Sequence, residues 1–273
     1  MDQTILKNQL QKFGEYLLVD KGLGEITIEG YSRTMSIALR RMRKLKPSYE
    51  QVKKYMIWMY QKKYSYSYIR NTTLAIEHYS NFKKNPMRLG RQKKPKRIIK
   101  DTITEAEMAM MLSEAKTIRQ KAILTLLAYS GIRNRELCNL RLENVDLGAN
   151  EVTVLWGKNK KDRVVNISSD CTKTLIDYLK EYRKSESEYL FTTLLHNNQL
   201  HTCDLRKIVK ITAKRSGIKK RVYPHLFRHS LATNLLLRWG NLTLIQEQLG
   251  HVFIESTMVY VQSMRLRTKS EYE

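Results

Sequence analysis

Over the first 85 residues apolar side chains recur at three- and four-residue intervals, the spacing that puts them on one face of a helix. Ile5, Leu6, Leu10, Phe13, Leu17 and Leu18 make the first stripe, and Gly22 and Gly24 end it. A second helix, from Thr27 to about Lys44, aligns Ile28, Tyr31, Met35, Ala38, Leu39 and Met42. Pro47 then breaks the chain. Ser48, with Gln51 three residues on, has the capping-box pattern and opens a third helix through Val52, Tyr55, Met56 and Met59. A fourth covers Tyr66 to Phe82, so residues 1–85 read as a small helical bundle.

From Lys83 to Arg97 eight of fifteen positions are Lys or Arg, none is acidic, and Pro86, Gly90 and Pro95 interrupt any helix. This is either a solvated linker or a basic strap that lies along phosphates, with Lys93, Lys94, Lys96 and Arg97 as the contacts; both readings put a domain boundary at residues 86–100. A second domain, 101–273, opens at the capping box of Thr104 and Glu107, followed by an apolar helix around Ala122 to Tyr129. After Asp146 the period changes. Residues Glu151–Trp156 and Arg163–Ile167 are rich in β-branched side chains and predict a hairpin with a lysine-rich tip. Helices are expected again over Cys171–Lys184, Thr202–Ser216, Pro224–Trp239, Leu242–Leu249 and Glu255–Met264. The fold class is mainly α with a small β-hairpin or sheet, an α+β chain in two domains.

Composition narrows the partner. Fifty Lys and Arg against 26 Asp and Glu give a net charge of +24 over 273 residues, which points to a polyanion, nucleic acid first. Residues 1–97 carry +15 of this excess and residues 98–273 the other +9, which makes the N-terminal bundle the stronger grip. No apolar run approaches the roughly 18 residues that cross a bilayer, and no secretory signal is visible, so a cytoplasmic, nucleoid-associated protein without a membrane partner is expected. Cys138, Cys171 and Cys203 are odd in number and far apart, against a disulfide framework or a zinc site.

Covalent cleavage of a phosphodiester needs fixed cations for the charge that develops on the phosphate, a nucleophile, and a proton donor for the leaving oxygen. Arginine suits the first task because its planar guanidinium stays charged and holds two oxygens at once. Arg133 follows the helix break at Gly131, and Pro224 opens an element in which His225 and Arg228 stand three apart on one face. His229 reads as a packed histidine. His251 closes Leu249-Gly250-His251, and Tyr260 follows nine residues later, one of sixteen tyrosines.

Gly-Ile-Arg133-x-x-Glu136-Leu, Gly-Lys158 on a hairpin, Pro-His225-x-x-Arg228-His, Leu-Gly-His251 and Tyr260, in that order, resemble the tyrosine recombinase (phage integrase) family, and most closely its Xer-like branch. The resemblance spans about residues 100–265, and the preceding bundle is similar to the family's helical core-binding domain. It implies a site-specific DNA recombinase that cuts and rejoins duplex DNA through a 3′-phosphotyrosyl link and a Holliday junction, for integration, excision or dimer resolution, as a homo-tetramer on paired sites. Arg133 and Arg228 would clamp the phosphate, His225 and His251 would bond its oxygens or move protons, Lys158 would protonate the leaving 5′ oxygen, and Tyr260 would attack. Glu136 would orient the site. Neither a metal nor a cofactor is implied. Lys160 and Lys161 share the hairpin with Lys158, and a type IB topoisomerase-like strand relaxation or a non-catalytic architectural DNA-binding protein remain as alternatives.

Overall fold

The computed structural model describes residues 2–91, 93, 95, 101–155, 162–183, 186–193 and 198–250. The chain forms two compact units, Met1–Arg97 and Ile98–Glu273.

The first unit is four helices, α1 (Gln3–Val19), α2 (Glu25–Met42), α3 (Tyr49–Gln61) and α4 (Tyr66–Phe82). Each starts where a short polar residue or glycine meets the first turn: Asp2 and Ser65 accept a backbone N–H at α1 and α4, and Ser48 with Gln51 forms the expected capping box. The predicted stripes turn inward, with Phe13, Leu17, Met35, Leu39, Val52 and Met59 fully buried. Tyr79 meets Phe13 edge-on at 5.1 Å, and its hydroxyl donates to the Leu45 carbonyl at 2.8 Å. The stretch after α4 is not wholly free of the bundle. Met87 and Leu89 pack against its core, Leu89 donates its N–H to Glu77, and Arg91 pairs with the same carboxylate at 3.4 Å.

In the second unit the described elements are α5 (Glu105–Ser113), α6 (Ile118–Ser130), α7 (Asn134–Asn139), the strands β1 (Val145–Asp146), β2 (Glu151–Val154) and β3 (Arg163–Asn166), then α8 (Ser169–Asp177), α9 (Thr202–Arg215), α10 (Pro224–Trp239) and α11 (Leu242–Leu249). Helix α6 is buried on all sides from Ala122 to Ala128, as befits a central helix against which α5, α8 and α10 pack. The sheet is antiparallel in the order β1-β2-β3, with Val152 opposite Val165 and Val154 opposite Arg163.

The mainly helical architecture with a small sheet follows the pattern of apolar positions, with two local differences. A two-residue strand, β1, joins the hairpin as a third member, held by the turn in which Asp146 accepts the N–H groups of Gly148 and Ala149. Helix α8 ends at Asp177, and the chain continues to Tyr182 as a π-helical turn. The break at Gly131 is followed by a new helix, α7, with Arg133 at its start. The expected helix Glu255–Met264 lies outside the described residues.

Candidate active site

The site grows from the end of α6. Gly131 caps that helix in the left-handed region (φ +67°), a conformation that costs a residue with a Cβ, and an added Cβ would also stand 2.7 Å from a methyl of Leu249. The turn therefore suits glycine twice over. It brings Arg133 out as the first residue ahead of α7, and Glu136, one turn later, reaches back to accept the Arg133 backbone N–H at 2.8 Å.

Glu136 is the hub. Its Oε1 also accepts from Arg133 Nη1 at 2.6 Å and from Arg163 Nη1 at 3.0 Å, while Oε2 accepts from Arg163 Nη2 at 2.8 Å. Four donors meet a carboxylate that offers about four lone-pair positions. The side chain is 8% exposed and that of Arg163 10%, so the pair is largely out of water. Burial on its own raises a carboxyl pKa; the hydrogen bond and charge of Arg163, followed by those of Arg133, outweigh it and hold Glu136 at about 2. An acid this strong, with its oxygens already bonded, is a fixed anion and not a proton shuttle.

The C-terminal end of α11 closes the other side. A helix leaves its last carbonyls without intrahelical donors, and here two arginines supply them. Arg228, 1% exposed in the first turns of α10, donates Nη2 to Leu249 O at 2.5 Å and Nη1 to Gly131 O at 2.6 Å. Arg133 Nη2 donates to Gly250 O at 3.3 Å. Gln248 ties the same helix to the sheet, donating to Asn166 O at 2.8 Å and Ser130 O at 3.2 Å and accepting the Asn166 N–H. Gly250 is itself in the left-handed region (φ +61°), and a Cβ there would fall 2.3 Å from Arg163 Cδ.

Arg133, Glu136 and Arg228 thus converge on one corner, built from the α6–α7 turn, β3 and the end of α11. His225 is exposed in the first turn of α10, three residues before Arg228, and His229 is buried as expected for a packed histidine. Lys93 is exposed. Lys158, His251 and Tyr260, together with Lys94, Lys96 and Arg97, lie outside the described residues. By position in the chain, His251 follows Gly250 directly, and Lys158 belongs to the segment between β2 and β3.

Two residues of the corner were not among the sequence candidates, Arg163 and Gln248. Arg163 carried a signal. In a strand that alternates, it shares a side with Val165, which is fully buried, and a charge on an inward face has to find a partner. Gln248 carried none, since its partners are backbone atoms 82 and 118 residues away.

The phage integrase family profile matches residues 101–267. A tyrosine recombinase of Pseudothermotoga lettingae is 31% identical over 267 residues, covering 92% of both chains, and the tyrosine recombinase XerA of Pyrococcus horikoshii is 31% identical over 277 residues, covering 96% of this chain and 91% of its own. Among solved structures, a XerA recombinase covers 98% of this chain and 99% of its own at 27% identity and a TM-score of 0.57; a Tn1549 transposon integrase in complex with circular intermediate DNA, at 17% identity and a TM-score of 0.72, shares the fold. The chain belongs to the phage integrase family. It is a Xer-like tyrosine recombinase, an enzyme of site-specific recombination that breaks and rejoins DNA strands.

Proposed function

We propose that Tyr260 is the nucleophile and that Arg133, Lys158, His225, Arg228 and His251 serve the phosphate it attacks. The observation that carries this reading is the meeting of Arg133 and Arg228 at the end of α11, on adjacent carbonyls, one residue before His251. In the step envisaged, the Tyr260 oxygen bonds to phosphorus and passes its proton to a histidine of the set, His225 or His251, while the bond to the 5′ oxygen breaks and Lys158 gives that oxygen a proton. A 3′-phosphotyrosyl link and a free 5′ hydroxyl result. The hydroxyl of the partner strand then reverses the chemistry and releases Tyr260. Free tyrosine has a pKa near 10, so the cations around the phosphate must favour the phenolate as it attacks. Each strand break is kept as a covalent bond, which is why rejoining calls for no nucleotide energy source.

The N-terminal unit serves in this reading as the duplex grip, as the core-binding domain of residues 1–85, with the basic 86–100 stretch, including Lys93, Lys94, Lys96 and Arg97, following the phosphate backbone to the catalytic domain of 101–273. Its support is the +15 charge of residues 1–97 and the exposure of Arg33, Arg40, Arg43, Lys44, Lys53 and Lys54. A recombination event cuts four strands, and with one nucleophile per chain it takes four copies, a homo-tetramer on two paired sites that resolves through a Holliday junction. A DNA substrate also places the enzyme in the cytoplasm, beside the nucleoid. Among the described residues no helix is long and apolar enough to cross a membrane.

A suicide DNA substrate, nicked so that the cleaved fragment diffuses away, tests the assignment. The wild type should give a protein–DNA adduct that survives denaturation, and Tyr260→Phe should give none. An adduct formed equally well by Tyr260→Phe would refute the choice of nucleophile.

A further inference from the structure

Arg163 begins β3, the strand that returns from the lysine-bearing segment, and it touches both sides of the candidate site at once. Its guanidinium grips Glu136 with two parallel hydrogen bonds, at 3.0 and 2.8 Å. Its aliphatic stem lies where a side chain on Gly250 would have to be, against the residue whose carbonyl Arg133 bonds. With 10% of its side chain exposed, it is more enclosed than Arg133, at 25%.

Two physical consequences follow from that placement. The first is charge. Arg133 and Glu136 alone are a neutral pair, and a neutral pair has little attraction for a phosphate. Arg163 adds a cation whose own contacts are directed at the carboxylate, so the trio carries a net positive charge and the negative charge of Glu136 is shared between two partners. The second is geometry. Arg163 bridges both oxygens of the Glu136 carboxylate, so the group cannot turn about its stem without breaking that fork. Arg133 is bonded to that plane through both its backbone N–H and Nη1.

We propose that Arg163 is a positioning residue for strand cleavage: through Glu136 it aims Arg133 at the scissile phosphate and keeps its charge available, and through Gly250 it braces the corner that leads into His251. The proposal rests on the assignment of Arg133 as a phosphate clamp. It assigns Arg163 no contact with DNA.

The test is single-turnover cleavage of the suicide substrate at saturating protein, scored by release of the 5′-hydroxyl fragment. Two substrates are compared, the natural phosphodiester and one with a methylphosphonate at the scissile position. The methylphosphonate is uncharged, so a clamp that neutralises charge matters less to it. Arg163→Met should slow cleavage of the phosphodiester on the order of 100-fold, the scale of a roughly 1 Å misplacement at a reacting centre. DNA affinity should stay within about threefold, and the deficit should shrink by about tenfold or more on the methylphosphonate, in parallel with Arg133→Ala. Arg163→Lys keeps the charge and loses the fork, and its rate should fall between those of the wild type and Arg163→Met. It also keeps the question open to experiment if the Met variant does not fold.

Equal deficits on the two substrates would show that Arg163 only supports the fold, and a wild-type rate in Arg163→Lys would remove the geometric part of the argument. If Arg133→Ala itself shows no preference for the uncharged substrate, the clamp assignment fails and takes this proposal with it. If Arg133→Ala shows the preference and Arg163→Met does not, the clamp stands and the role of Arg163 alone is overturned.

Discussion

The same residue type is used in opposite ways at the Glu136 corner and in the N-terminal bundle. At the corner, Arg163 and Arg228 are largely out of water and Arg133 is partly so, and all three are bonded to a carboxylate or to helix-end carbonyls, with Arg228 among the largest fully buried side chains. In the bundle, the core is apolar and aromatic, and the arginines and lysines stand on its surface. Among the described residues the ion pair that this unit shows is Arg91–Glu77, and Arg41 lies over the Trp58 ring at 3.6 Å. A buried cation is defined by its partners and holds one geometry. An exposed one contributes a field that any phosphate backbone can meet. The difference separates the recognition of DNA as a polyanion from the chemistry done on one phosphate.

If the comparison is right, breaking the corner should cost folding and breaking the surface should cost only DNA affinity. Arg228→Ala should have the largest effect, about 3–5 kcal/mol of unfolding free energy in urea, because two carbonyls lose their donors and a large buried volume is vacated. A loss below about 1 kcal/mol would mean that the corner is wetter than its geometry implies.

Glu136→Gln comes next and depends on pH. The folded state holds this carboxyl at about 2 against an ordinary 4.5, so its contribution is fully present above the ordinary value and is lost as pH falls towards 2. The gap between wild type and Glu136→Gln should be roughly 3 kcal/mol at pH 7 and should close progressively in urea titrations taken from pH 5 down to pH 2. A gap that does not change with pH would refute the ionic part of the hub.

Gly250→Ala should cost about 1–3 kcal/mol, through its left-handed backbone and the 2.3 Å approach to Arg163 Cδ, and should lower cleavage more than DNA binding. The smallest effect on stability is expected on the other side of the comparison. Lys93→Ala should change unfolding by less than about 0.5 kcal/mol, yet weaken binding to any DNA sequence and reduce the salt dependence of the affinity by about one counterion. Equal binding at all salt concentrations would remove Lys93 from the grip.

Much of this was legible along the chain because it depends on neighbours within a few residues. The capping boxes of Ser48 with Gln51 and of Thr104 with Glu107 mark helix starts where the structure has them, and Pro224 opens α10 at its first position. The apolar stretch around Ala122 to Tyr129 reads as a helix, and the structure has α6 there. What stayed hidden depends on distant groups. Strand β1 is two residues long and exists only because β2 offers it a partner. Residues 87–91 look like solvated linker until Glu77, on the preceding helix, is seen to hold them. Arg133 and Glu136 were legible as a motif, whereas Arg163 is 27 residues from Glu136 and joined the site only through the pairing of β3.

By itself, then, the sequence determined most of the described helices, the change of period that makes the sheet, the excess of positive charge and the order in which the chemical groups occur. Local backbone preference and amphipathic spacing act over a turn or two, and charge is additive along the chain. The tertiary structure alone decided which arginine meets which anion. An ion pair or a capped carbonyl depends on a few ångströms of separation and on exclusion from water, and those follow from the packing of α6, α10, α11 and β3 around one corner.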